Sequence, residues 1–377
     1  MSIRQMYPGS IVKPGFNPLG AQTFTLAYNL FGWGENTTYG QLGLGNTTNY
    51  SSPKQVDALL TWSNIAAGRN HTVVTKTDGT LWSWGRNTVG QLGLSNTTNY
   101  SSPVQVGALT AWSKVSARWD STIATKTDGT LWSWGQNNFG QLGLGDSANR
   151  SSPVQVGALT SWLNISSGKY HTVAVKTDGT IWSWGRNDFG QLGLSNFTNK
   201  SSPNQIGALT NWITIAAGDF HTVAVKTNGT LWSWGYNNFG QLGLANTGIY
   251  YSSPTQVGVL TSWLKISCGS YNTYSVKTDG TAWAWGYGEW GCLGLGNATY
   301  YSSPKQIGAL TNWSTVKGGF YNGLAIKTDE TLWSWGRSNL GQLGLGNITA
   351  YSSPKQIGSS ATWSTPESGR FSSFALG

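Results

Sequence analysis

A Trp-Gly pair returns seven times along this chain, at Trp33-Gly34, Trp84-Gly85, Trp134-Gly135, Trp184-Gly185, Trp234-Gly235, Trp285-Gly286 and Trp335-Gly336. A spacing of about fifty residues marks a supersecondary unit that cannot bury its apolar faces alone, so the units must stack. Four strand candidates recur in each unit; in the second they read "PVQVG", "WSKVSA", "STIATK" and "TLWSWG". That pattern predicts a four-stranded antiparallel blade. In "LWSWG" the alternation puts Leu81 and Ser83 on one side and Trp82 and Trp84 on the other, as stacking blades face to face requires.

The two ends complement each other. The last unit stops at "RFSSFALG", Arg370 to Gly377, without a following "TDGTLWSWG", whereas the first opens with "LAYNLFGWG", which has that strand and nothing before it. Pairing the two ends completes a seventh blade and removes both free sheet edges. The expected fold is therefore all-β, a closed seven-bladed propeller over residues 23–377, preceded by an extended arm over 1–22. Composition agrees, because 22 Trp and 51 Gly beside only 10% charged residues describe a turn-rich, aromatic-packed chain in which helix is not expected.

The formal charge of +9 is not read as a nucleic-acid signal. Much of it comes from one Lys per unit, two residues before an Asp or Asn in "KTDG" or "KTNG", where local pairing is expected. No run of five basic residues occurs, and no apolar stretch approaches the roughly 18 residues of a membrane helix. The leader "MSIRQMYPGSIVKPGFNPLG" has three prolines and lacks the apolar core of a secretory signal. A soluble protein with no specific nucleic-acid partner and no membrane insertion is expected.

The consensus "GxxHTxAVKTDGTxWSWGxNxxGQLGLG" resembles the repeat of the regulator of chromosome condensation family of seven-bladed propellers, from about Phe24 to Gly377. The resemblance implies the fold and leaves function open, because the family includes a nucleotide exchange factor for a small GTPase, ultraviolet photoreceptors and a β-lactamase inhibitor.

Hairpin geometry divides the ring into two rims. "TDG" and "GALT" turns share one rim and barely vary, whereas the loops before "HTVAV" and after "WG" share the other and vary strongly. Before "HTVAV" stand Arg69, Asn70, Trp119, Asp120, Lys169, Tyr170, Asp219, Phe220, Ser270, Tyr271, Phe320, Tyr321 and Arg370-Phe371. After "WG" stand Arg86, Phe139, Arg186, Phe189, Tyr236, Phe239, Tyr287, Trp290 and Arg337. Tyr, Trp, Phe and Arg are the usual interface anchors, so the varied rim is the candidate partner-binding face. The other reading is that the loops drift and the aromatics tuck against neighbouring blades.

Catalytic constellations are not expected. His71, His171 and His221 alternate with Ser121, Asn272, Asn322 and Ser372 in equivalent places, which suits a small polar partner for a backbone group better than a metal ligand. Asp78, Asp128, Asp178, Asp279 and Asp329 sit in tight turns as Asx residues. "GQLGLG" lacks the helix and Lys of a phosphate loop. Cys268 and Cys292 stand in for a small residue and for the Gln of "GQLG", and a disulfide between them is not expected. No catalytic residue, cofactor or metal is assigned.

The function expected is a non-enzymatic recognition scaffold that binds a protein or a host-surface glycan through its varied rim. Leaders such as "MYPGSIVKPGFNPLG" ahead of propeller repeats resemble virion proteins of tailed, in particular marine, phages. That resemblance implies a virion location in a tail, fibre or head surface, with Met1 to Gln22 docking onto other virion subunits. The alternatives are a guanine-nucleotide exchange factor, a chromatin-binding propeller, or a protein inhibitor of an enzyme.

Overall fold

A computed structural model describes residues 28–58 and 61–377; the leader arm expected over Met1 to Gln22 lies outside them. Seven four-stranded antiparallel sheets stand around a central channel. Blades 1 to 6 span residues 62–105, 112–155, 162–205, 212–256, 263–306 and 313–356. Blade 7 joins the two ends of the chain. Leu30–Gly34 pairs with Ser372–Leu376, and these two strands are flanked by Tyr50–Val56 and Thr365–Ser368. Among the described residues the only helical element is one 3-10 turn, Glu289–Gly291.

Blade 1 shows the plan of the others. Trp62–Ala67 lines the channel, followed outward by His71–Lys76, Leu81–Gly85 and Tyr100–Gln105. This corrects the grouping expected from sequence: the "PVQ" strand closes the blade before the "GALT" turn and does not open the one after it. The turn is the connection between blades, with Trp112 N–H donating to the Gly79 carbonyl at 3.0 Å. The long segment after "WG" stays within its blade because its asparagines tie it into a compact loop. Asn87 donates to the Asn96 carbonyl at 3.0 Å and accepts from Leu92 N–H at 2.9 Å, while Asn99 accepts from Asn87 N–H at 2.7 Å.

The "GQLG" motif is a staple between blades. The Gln91 carbonyl accepts from Trp134 Nε1 at 3.0 Å and Thr122 Oγ1 at 2.9 Å in the next blade. The same bond recurs around the ring and closes it where Trp33 Nε1 donates to the Gln342 carbonyl at 3.0 Å. Glycine is required here, because a Cβ on Gly93 would lie 2.8 Å from the Trp134 indole nitrogen. Trp84 and Trp134 are fully buried and Trp82 is half-buried, with Leu81 facing the opposite side. Burying one such indole contributes at most about 5 kcal/mol at ~25 cal/mol per Å².

The "KTDG" lysines do not pair with their aspartates. Lys76 Nζ sits 3.9 Å from the ring centre of Trp82 and 4.7 Å from that of Trp62, and its equivalents do the same. The aspartate instead works as expected in the turn: Asp78 Oδ1 accepts from Thr80 N–H at 2.9 Å and Thr80 Oγ1 at 2.7 Å. These bonds hold its carboxyl below the usual range. The histidines differ from expectation in their partner. His71 Nε2 meets Thr122 Oγ1 of the next blade at 2.9 Å. That hydroxyl already donates to Gln91, so the imidazole must be the donor, and it is neutral because burial pushes its pKa down to about 3. Cys268 and Cys292 are free, buried, and pushed up to about 12 by burial.

Candidate functional site

The varied rim carries one connected sheet of aromatic rings. Phe139 meets Tyr170 at 4.9 Å, Phe189 meets Phe220 at 5.3 Å, and Phe239 meets Tyr271 at 5.2 Å between ring centres. Each of these pairs joins the loop after "WG" of one blade to the loop before "HTVAV" of the next, so the two sets interleave. Tyr236, Tyr287 and Tyr321 extend the run, with Phe189 to Tyr236 at 5.0 Å and Tyr287 to Tyr321 at 6.1 Å. These rings are half-buried; they tuck against neighbouring blades and still present an edge to solvent. Trp290, on the 3-10 turn, is 52% exposed and lies under Arg337, 5.2 Å away.

Five residues placed on this face by sequence are buried: Asn70, Asp120, Asp219, Ser270 and Phe320. They position the face from beneath. Asp120 accepts from Arg86 at 3.0 Å and from Gln91 Nε2 at 3.1 Å. Asp219, 2% exposed, pairs with Arg118 at 2.9 Å. Burial pushes both carboxyls up, and the arginines pull them back. Asn70 turns its carbonyl to Arg86 N–H at 2.8 Å.

The cations lie on the rings. Arg186 is 4.9 Å from Phe139, Arg69 is 4.8 Å from Trp119, and Lys169 is 3.7 Å from Trp119. Arg69, Lys169, Arg337 and Arg370 make no ion pair among the described residues. Tyr271 is held neutral, its hydroxyl pushed up to about 12 by burial. Tyr250 and Tyr300 join the sheet from the long loops. Sequence reading passed over them because those loops vary in length and composition. It also missed Arg118, whose signal was available as the single unit without Gly at that place. No group of three His, Cys, Asp or Glu residues that could hold a metal ion occurs among the described residues.

The RCC1-like domain matches residues 20–264 of this chain, and the regulator of chromosome condensation (RCC1) repeat matches residues 279–326 and 329–376. The chain belongs to the RCC1-like family. Solved structures of matching fold include human WBSCR16, at 20% identity and a TM-score of 0.83, covering 93% of this chain and 98% of that one. Prp20p from Saccharomyces cerevisiae, described by its binding to Gsp1p and histones, matches at 21% identity and a TM-score of 0.83, covering 93% of this chain and 92% of its own. Yeast RCC1 (Prp20) in a structure with Kap60 matches at 21% and 0.83, covering 99% of this chain and 96% of that one. These likenesses show the fold. In this RCC1-like chain the strands and the "TDG" rim are near copies, and the differences gather on the aromatic rim.

Proposed function

We propose that this RCC1-like propeller is a non-enzymatic recognition module that binds another protein through its aromatic and cationic rim. The observation that carries this reading is the connected run from Phe139 to Tyr321, studded with cations, on the one face where the units differ. Large rigid rings with an arginine between them give much contact area at low cost in side-chain entropy. The binding of Prp20p to Gsp1p and histones, and its structure with Kap60, favour a protein partner. They favour such a role over a virion subunit or a glycan-binding surface.

A second reading, nucleotide exchange or chromatin binding, draws on the same likeness. Stimulated nucleotide release from a small GTPase would select it, and its absence with the native partner would leave the recognition module alone. The test of the main reading is affinity capture with the native protein and with a Tyr170→Ala, Phe220→Ala, Tyr271→Ala variant. The variant is expected to stay folded, losing about 1–2 kcal/mol per half-buried ring, and to lose the partner. Capture of the same proteins by both would refute the assignment of this face.

A further inference from the structure

The repeat is broken at one place, and the break builds something. The residue after the channel strand is glycine in six units: Gly68, Gly168, Gly218, Gly269, Gly319 and Gly369. A Cβ at Gly68, Gly168 or Gly218 would come within 2.2 Å of the following histidine ring, and at Gly269 within 2.0 Å of Asn272. Blade 2 has Arg118 there and the small Ser121 in place of the histidine, so the larger residue fits. Its channel strand runs one residue further, Trp112–Arg118.

Arg118 reaches over the channel to blades 4 and 5, donating from Nε to Asp219 Oδ1 at 2.9 Å and from Nη1 to the Cys268 carbonyl at 3.3 Å. Trp119 follows at φ 51°, a left-handed conformation that costs a non-glycine residue energy. Its Nε1 donates to Asp219 Oδ2 at 3.2 Å, and its ring meets Phe320 of blade 6 at 5.6 Å. The indole is thereby carried across the ring to a residue of a non-adjacent blade.

Besides Arg118, which is paired with Asp219 and lies 5.5 Å from the Phe320 ring, three cations converge on this Trp119–Phe320 plate. Arg69 and Lys169 lie 4.8 and 3.7 Å from the Trp119 ring, and Arg370 lies 5.7 Å from that of Phe320. None has an ion-pair partner among the described residues, and Arg69 Nε and Arg370 Nε are buried without a hydrogen-bond acceptor. The nearby carboxylates are engaged: Asp219 by Arg118 and Asp120 by Arg86. Glu35 faces Arg69 and Arg370 without pairing, and burial pushes its carboxyl up. Burial lowers the pKa of the Lys169 ammonium; Asp219 attracts it and opposes that shift, while Arg186, Arg69 and Arg370 repel it.

We propose that the Trp119–Phe320 plate and its three cations, Arg69, Lys169 and Arg370, form a seat for an acidic side chain of the protein partner. This deepens the recognition reading and rests on it. A carboxylate set among the three would find charge-assisted donors already braced by aromatic rings. The cluster is compact, and Asp120, Asp219 and Glu35 border it. A nucleic acid needs a track of cations along its backbone, whereas the three cations here gather at one point. The acidic protein side chain is therefore the occupant.

The test titrates the full chain at low salt with octaglutamate, with an eight-residue oligothymidylate and with inorganic phosphate, followed by calorimetry and tryptophan fluorescence. Octaglutamate is expected to bind most tightly and to change the emission. Arg69→Gln, Lys169→Gln and Arg370→Gln should each weaken it roughly tenfold. Control variants with the same loss of one charge, Lys54→Gln, Lys305→Gln or Lys355→Gln singly, should bind as the native chain does. Unchanged melting of the seat variants would show that they fold. No octaglutamate binding, tighter binding of the oligonucleotide or of phosphate, or equal weakening by the controls would overturn the seat. Partner capture by the Tyr170, Phe220 and Tyr271 variant reports on the face separately, so the two readings fail independently.

Discussion

Replacing His71, His171 and His221 together by Asn, the residue in the same place at 272 and 322, isolates what the buried imidazoles do to stability. Burial lowers each from its ordinary 6.5 to about 3, so the folded protein keeps all three neutral. The unfolded chain takes up those protons first, and the stability is complete above 6.5 and drains away as pH falls toward 3. Between pH 7.5 and 5.5 the loss comes to about 1.4 kcal/mol for each histidine and about 4 kcal/mol for three. Asp120, Asp219 and Glu367 have raised pKa values and act with the opposite sign, gaining stability as they protonate. They are present in both proteins and cancel in the comparison. Urea unfolding followed by tryptophan fluorescence at the two pH values should show the native chain losing ~4 kcal/mol more than the variant. Equal losses in both, within about 1 kcal/mol, would mean that burial does not hold the imidazoles neutral.

Two further substitutions probe other parts of the ring. Lys317 Nζ and Glu367 Oε2 meet at 2.8 Å beside the channel, where Glu367 is buried; Lys317→Met should cost about 3 kcal/mol at pH 7 by leaving that carboxylate unpaired. The cost should shrink toward pH 5 as Glu367, its pKa already raised by burial, protonates, and a pH-independent cost in chemical unfolding would count against the ion pair. Glu330 stands at φ 61° where the equivalent turns place Gly79, Gly129, Gly179, Gly229 and Gly280, so Glu330→Gly should stabilise by roughly 0.5–1 kcal/mol, and a lower melting temperature would refute the strain.

The ring and its closure were legible in the sequence because packing repeats exactly what it needs: the indole of "WSWG" and the glycines of "GQLG" are fixed by one contact between blades. Assignment of the "PVQ" strand went astray because sequence distance misleads here. The short "GALT" turn crosses between blades, while the long loop after Gly85 folds back within one, tied by Asn87, Asn96 and Asn99. The lysine of "KTDG" was matched to the charge nearest in sequence, whereas its ammonium lies over two indoles and forms no ion pair with that aspartate. The sequence put the varied loops on one rim, where their rings meet, but the depth of individual residues was not visible. Asp120 and Asp219 look like surface acids in the sequence, and only their arginine partners, one of them two blades away, reveal them as buried supports.

Contacts between neighbours cannot tell a ring of near copies how many members to have, because a circle closed one unit short would offer each blade the same staple and the same indole pair. The reach of Arg118 to Asp219 and of Trp119 to Phe320 depends on the diameter instead. Those spokes are sensitive to the count, and they give a chain of repeated parts a reason to finish at seven.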